Sequence, residues 1–265
     1  MKKRFHPQWF AIGLTLLLAV AGFLLRRRQL ATELLSDGSL APGSRLHIYL
    51  IVLVFLLVAG LTALLLPLKN RTTCQQVFPP LLLPNLLQIV STLGLICGNI
   101  LLWVQGRVPT TAYAAQSPGV ADAMTAILPP LGLASAVCIA VFAILRVSDK
   151  KPSALLYMLA SVYLALRLIV CFQEWTVDPS IHDYCFQLFA AICCMLGTFQ
   201  LGGFCLGRGK RRMCLFWTLS AVVFYSITLA DILARGALDE LLITLSLLLF
   251  MAISSLQLLF APADA

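Results

Sequence analysis

The chain reads as an all-α, polytopic integral membrane bundle of about eight transmembrane helices with both termini in the cytoplasm. Three observations predict this. The 265 residues are 60% hydrophobic and 11% charged, with a mean hydropathy of +0.95. The apolar residues gather into eight stretches, most of them long enough, at about 1.5 Å per helical residue, to cross a hydrocarbon layer of about 30 Å. The basic residues cluster at the ends of those stretches, as orientation signals do. No connection is long enough to fold alone, so residues 1–265 are read as a single transmembrane domain with no soluble one.

The spans are expected at roughly 9–25, 47–68, 81–104, 120–145, 154–173, 184–206, 213–234 and 239–260. The first follows Lys2, Lys3 and Arg4 and contains Ala19-Val20-Ala21, a signal-like ending. Phe23-Leu24-Leu25 carries the apolar run past that point, so the segment is read as an uncleaved span. The third has Pro84 in its first turn, where a missing N–H costs no helical bond. The fourth contains Pro129-Pro130, expected to kink or break it and to free carbonyls that another group must satisfy. The connection over 105–119, with two prolines and Arg107 as its one charge, reads as an ordered loop or a flexible lid.

Two further spans carry small residues at intervals of four. Ala190, Cys194, Thr198 and Gly202 recur on the sixth, and Gly132, Ala136 and Ala140 on the fourth. Such faces let helices approach closely.

Orientation follows from Lys and Arg. With the N-terminus inside, the inner side holds twelve of them: Lys2, Lys3, Arg4, Lys69, Arg71, Arg146, Lys150, Lys151, Arg208, Lys210, Arg211 and Arg212. The outer side holds six, namely Arg26, Arg27, Arg28, Arg45, Arg107 and Arg235. Twelve against six favours a cytoplasmic N-terminus, although Arg26 to Arg28 sit on the wrong side of the rule. The setting expected is a bacterial plasma membrane. The lipid bilayer is the certain partner, a second membrane protein is a further candidate, and the oligomeric state is open. The net charge of +8 is spread over these span ends, so it points to anionic headgroups and not to nucleic acid.

Lipid cannot satisfy polar side chains, so those within a span are expected to face protein or water. At about 100° per residue, Asn85, Gln88, Thr92 and Asn99 share one face of the third span. Trp217, Ser220, Thr228 and Asp231 share a face of the seventh, and Tyr163, Arg167, Cys171 and Glu174 one of the fifth. Arg167 lies about thirteen residues into its span, roughly 20 Å deep. A lone guanidinium there costs about 2.5 kcal/mol or more, so a counter-ion is expected. Glu174 and Asp231 are the candidates, and Asp231 is preferred because Glu174 can reach bulk water. These residues, with Asn85, Gln88 and Asn99, are read either as a buried ion pair and packing groups or as a polar pathway.

Cys171 and Cys185 end and begin consecutive spans on the expected outer side, where a disulfide is sterically reasonable. The connection between them holds Asp178, His182 and Asp183, weak candidates for a metal because their spacing matches no defined motif. The remaining cysteines read as small apolar residues. Asn70-Arg71-Thr72 is a glycosylation sequon on the wrong side of the membrane. Gly207-Arg208-Gly209-Lys210 fails as a phosphate loop, since Arg211 follows the lysine.

No cofactor is implied. No nucleophile and base lie together at depth, and His6, His47 and His182 all fall at span ends, so an enzyme is the least supported class. A non-catalytic subunit, assembly factor or sensor stands slightly ahead of a small-solute transporter or channel with a polar pathway around Arg167. The absence of internal repeats tells against the transporter.

Overall fold

A backbone in hydrocarbon must bond to itself, and helices do this within one segment. Helices are the only regular elements among the described residues. The structure, a computed structural model, describes residues 7–33, 45–68, 74–79, 81–105, 118–148, 150, 152–175 and 181–261. In chain order the helices are α1 (Pro7–Thr32), α2 (Arg45–Leu65), the short α3 (Cys74–Val77), α4 (Leu82–Gln105), α5 (Pro118–Val147), α6 (Leu155–Trp175), α7 (Ile181–Cys205), α8 (Arg211–Arg235) and α9 (Leu238–Phe260).

Seven of these are long and apolar enough to cross a bilayer over their described residues. The remaining long helix, α6, is apolar over Leu155–Val170, which makes about eight crossings. The protein is an integral membrane protein on this ground. Trp9, near the start of α1, packs edge-on against Phe260 at the end of α9, with ring centroids 5.3 Å apart. Both ends of the bundle therefore lie at one face, as an even number of crossings requires. That face is called proximal below, and the other distal.

Helices α4 to α9 form a closed ring. Each packs on the next, and α9 returns to pack along α4. The hairpin of α1 and α2 stands outside the ring against α8. Small residues set the closeness of these contacts. A Cβ added at Gly202 on α7 would lie 3.4 Å from Tyr157 Cβ and 3.6 Å from the Ala154 carbonyl, so the small face of α7 is what α6 packs against. Gly132 on α5 is where the Asn99 amide of α4 lies.

Two expectations about elements change. α5 is one continuous helix through Pro129 and Pro130, so the prolines do not break it. α1 does not stop before Arg26 but continues to Thr32, so Arg26 belongs to the helix and not to a loop. Arg26, Arg146 and Arg211 are all buried, at 1%, 2% and 1% exposure. Removing them from the loop charges leaves ten against five, so the two-to-one bias toward the proximal face is unchanged.

α8 is the most enclosed helix, flanked by α1, α2, α7 and α9. Its N-terminus is tied by Arg211, whose Nε and Nη2 donate to the Leu258 and Leu259 carbonyls at 3.0 Å each. Those carbonyls belong to the last turn of α9, where a cation meets the negative end of the helix dipole. Gly236, at φ 70°, takes the left-handed turn after α8, and its N–H donates to the Ile232 carbonyl.

Candidate functional site

Aromatic rings fill the middle of the ring toward its proximal end. Phe142 of α5 and Tyr157 of α6 lie 4.0 Å apart, and Phe78, just after α3, packs on both at 5.0 and 5.9 Å. Phe250 of α9 reaches Tyr157 from across the ring, at 6.0 Å. Four elements thus meet in one aromatic plug. Beside it Gln88 of α4, fully buried, turns its amide toward Ser254 and Gln257 of α9 at 3.5 and 3.4 Å.

Above the plug the interior becomes polar. Tyr163, one and a half turns beyond Tyr157 on α6, is buried, and its hydroxyl donates to Asn99 Oδ1 at 3.2 Å. The Asn99 amide nitrogen in turn donates to the Leu95 carbonyl at 2.8 Å. On the opposite wall, the Tyr225 hydroxyl of α8 lies against the Cys194 thiol of α7. Arg167, four residues after Tyr163, is half-buried, and its charge reaches both Cys194 and Tyr225. Asn99, Tyr163, Arg167, Cys194 and Tyr225 thus bring α4, α6, α7 and α8 to one polar cluster inside the ring.

Asp231, the preferred counter-ion of Arg167, bonds to a different arginine. Asp231 is held by Arg26, whose Nε donates to Oδ1 at 2.7 Å, with the aspartate 5% exposed. Arg26 also donates to Gln29 Oε1 at 2.8 Å and lies over the Phe186 ring of α7 at 5.8 Å. The reason is height and adjacency. Both residues sit about twenty residues from the proximal ends of neighbouring helices, so the chain brings them level.

The stripe on α4 is buried as expected, with Asn85, Gln88, Thr92 and Asn99 all sealed. It does not form one site. Asn85 bonds locally to the Leu81 carbonyl at 2.7 Å, Gln88 turns to α9, and Asn99 alone joins the cluster around Arg167. The side chains of Cys171 and Glu174, and Asp178, His182 and Asp183, lie outside what is described, and with them the expected disulfide to Cys185 and the weak metal candidates. Among the described residues no group of three metal-ligating side chains converges.

Sequence reasoning missed three participants. Tyr225 and Cys194 looked like ordinary apolar packing, and Arg26 looked like a loop charge. The available signal for Arg26 was its spacing from Gln29, which places both on one helical face.

Outside the ring, α1, α8 and α9 enclose a groove of about 640 Å³ lined almost wholly by apolar side chains, among them Leu16, Phe23, Val222 and Leu256. It faces the bilayer side of the α1 hairpin and has the apolar character of a surface filled by acyl chains.

No protein-family model, no curated protein and no solved structure matches this chain.

Proposed function

We propose that the protein is a carrier or channel for a small polar solute, with the ring of α4 to α9 as its pathway and Arg167 in the binding station. One observation carries the reading. Polar side chains from four ring helices, including the Tyr163–Asn99 hydrogen bond, face one another at mid-membrane, where each would be costly without a polar companion. The aromatic plug of Phe78, Phe142, Tyr157 and Phe250 closes the proximal half and serves as the gate. The charge bias puts the proximal face and both termini in the cytoplasm, and the reading assigns the protein to a bacterial plasma membrane.

A second reading, a non-catalytic membrane subunit, is favoured by the α1–α2 hairpin. It stands outside the ring, where a pathway has no use for it. Reconstitution separates the two. Purified protein in vesicles is tested for flux of a panel of amino acids, carboxylates, inorganic ions and sugars. Transport predicts flux of at least one of them, reduced about tenfold or more by Arg167→Gln and less by Tyr163→Phe, which deletes one hydrogen bond. No flux for any of the panel, together with a stoichiometric protein partner on mild purification, supports the subunit and rejects the carrier.

A further inference from the structure

Lys210, Arg211 and Arg212 stand in a row at the proximal start of α8, and the helix sends them to different places. Arg211 turns inward and is bonded to the Leu258 and Leu259 carbonyls. Lys210 and Arg212 instead line a cavity of about 480 Å³ between the proximal ends of α2 and α8. Arg212 Nε donates at 2.5 Å to the carbonyl of Leu68, just past α2, which ties the two helices together and fixes the guanidinium at the proximal end of the cavity. A guanidinium has more donors than that one bond uses, and Lys210 is exposed beside it. Among the described residues, no acidic side chain lines this space.

The cavity changes character with depth. Its two cations sit at the first residues of α8, the level at which a membrane helix meets the headgroups. One to two turns deeper the wall is Phe216 and Trp217, whose rings meet edge-on at 5.1 Å, at the depth where aromatic side chains gather in membrane proteins. Met213 of α8 and Leu66, at the end of α2, line the space too and are exposed, so its apolar part is continuous with the lipid-facing surface. The groove between α1, α8 and α9 differs, since no charged side chain lines it to select a headgroup. A positive end followed inward by an apolar wall matches a molecule with an anionic head and an acyl chain. A small free anion would use the cations alone, and an uncharged lipid the wall alone.

We infer that the cavity between α2 and α8 is a binding site for an anionic phospholipid. Its phosphate accepts from Lys210 Nζ and from the Arg212 guanidinium, as in other basic pockets between membrane helices, and the first part of an acyl chain lies along Phe216, Met213 and Leu66. The consequence is mechanical. The α1–α2 hairpin stands outside the ring, and a lipid in this cavity joins α2 to α8 across a space that protein does not fill. The site depends on neither reading of the protein's function.

The test uses the delipidated full chain in a neutral detergent, with the variants K210Q, T62F, K150Q and the double variant K210Q/R212Q. Thr62 lines the cavity and is exposed, so a phenyl ring there fills space without altering charge. Lys150 is exposed at the proximal face but does not line the cavity, and K150Q controls for loss of charge alone. Thermal unfolding is followed with phosphatidylglycerol, phosphatidylcholine and inorganic phosphate, and native mass spectrometry follows bound lipid. Phosphatidylglycerol alone is expected to give a saturable rise in Tm, with one molecule retained per chain. K210Q weakens that binding by about fivefold, T62F weakens it at least as much, and the double variant abolishes it, while K150Q leaves it unchanged. Should the double variant fail to fold for want of the Leu68 bond, K210Q and T62F decide the matter. The inference is overturned if phosphatidylcholine or inorganic phosphate acts as phosphatidylglycerol does, if K150Q weakens binding as K210Q does, or if T62F binds as the wild type does.

Discussion

Arg26 Nε donates to Asp231 Oδ1 at 2.7 Å across the α1–α8 interface, joining the hairpin outside the ring to the most enclosed helix of the bundle. Breaking one half leaves the other charge buried. Arg26→Met and Asp231→Asn are each expected to lower stability by about 3–5 kcal/mol, whereas Arg26→Met combined with Asp231→Leu regains most of the loss. Equilibrium unfolding in detergent checks this. A loss in the double variant equal to the sum of the two single losses would show that the pair is not coupled.

The α4–α9 contact depends on Gly98. A Cβ there would lie 2.6 Å from Ile243 Cγ1 and 3.1 Å from the Asp239 carbonyl, and backbone cannot yield as a side-chain tip can. Gly98→Leu is expected to cost about 1–3 kcal/mol by overpacking and to loosen ring closure. Gly13, with nothing near it, tolerates the same change. Comparing the two variants in one thermal assay tests the assignment.

Cys74 Sγ of α3 and Cys205 Sγ of α7 are 3.3 Å apart. Diamide, which takes two hydrogens from a dithiol, is expected to join them as a disulfide, with peptide mapping locating the cross-link. Cys193, Cys194 and Cys214, the buried cysteines among the described residues, should stay unmodified by a water-soluble maleimide. Cross-linking of Cys205 to some other cysteine would contradict the placement of α3 against the end of α7.

Truncated reporter fusions ending after Arg45 and after Arg212 are expected to report opposite faces, since α2 begins at the distal face and α8 at the proximal one. A cytoplasmic signal from both would remove the eight-crossing topology.

Much of this arrangement is legible in the residues. Hydropathy locates the spans, and helical periodicity identifies the buried face of α4, because lipid leaves polar groups no alternative. The height of Arg167 is readable for the same reason. What does not follow is which helix stands beside which. Height alone puts Arg167 level with Asp231, but the packing of α8 against α1, which lets Arg26 reach the carboxylate, is not written in either span. The end of α1 does not show in hydropathy, which falls at the first arginine, while the backbone ladder continues wherever a charge finds a buried acceptor. Arg146 and Arg211 were hidden likewise, since an arginine at a span end looks the same in sequence whether it faces water or protein.

Ring closure imposes an order on assembly. The buried polar face of α4 is completed by α9, five helices later in synthesis, and Gln88 has its amide partners there. Until α9 arrives, that face must stay sheltered by the insertion machinery or by transient neighbours. A ribosome stalled in the α8–α9 turn leaves an open crescent whose exposed edge carries Gln88, Gly94 and Gly98. Quality control in the membrane would find its mark on α4, far from the missing segment.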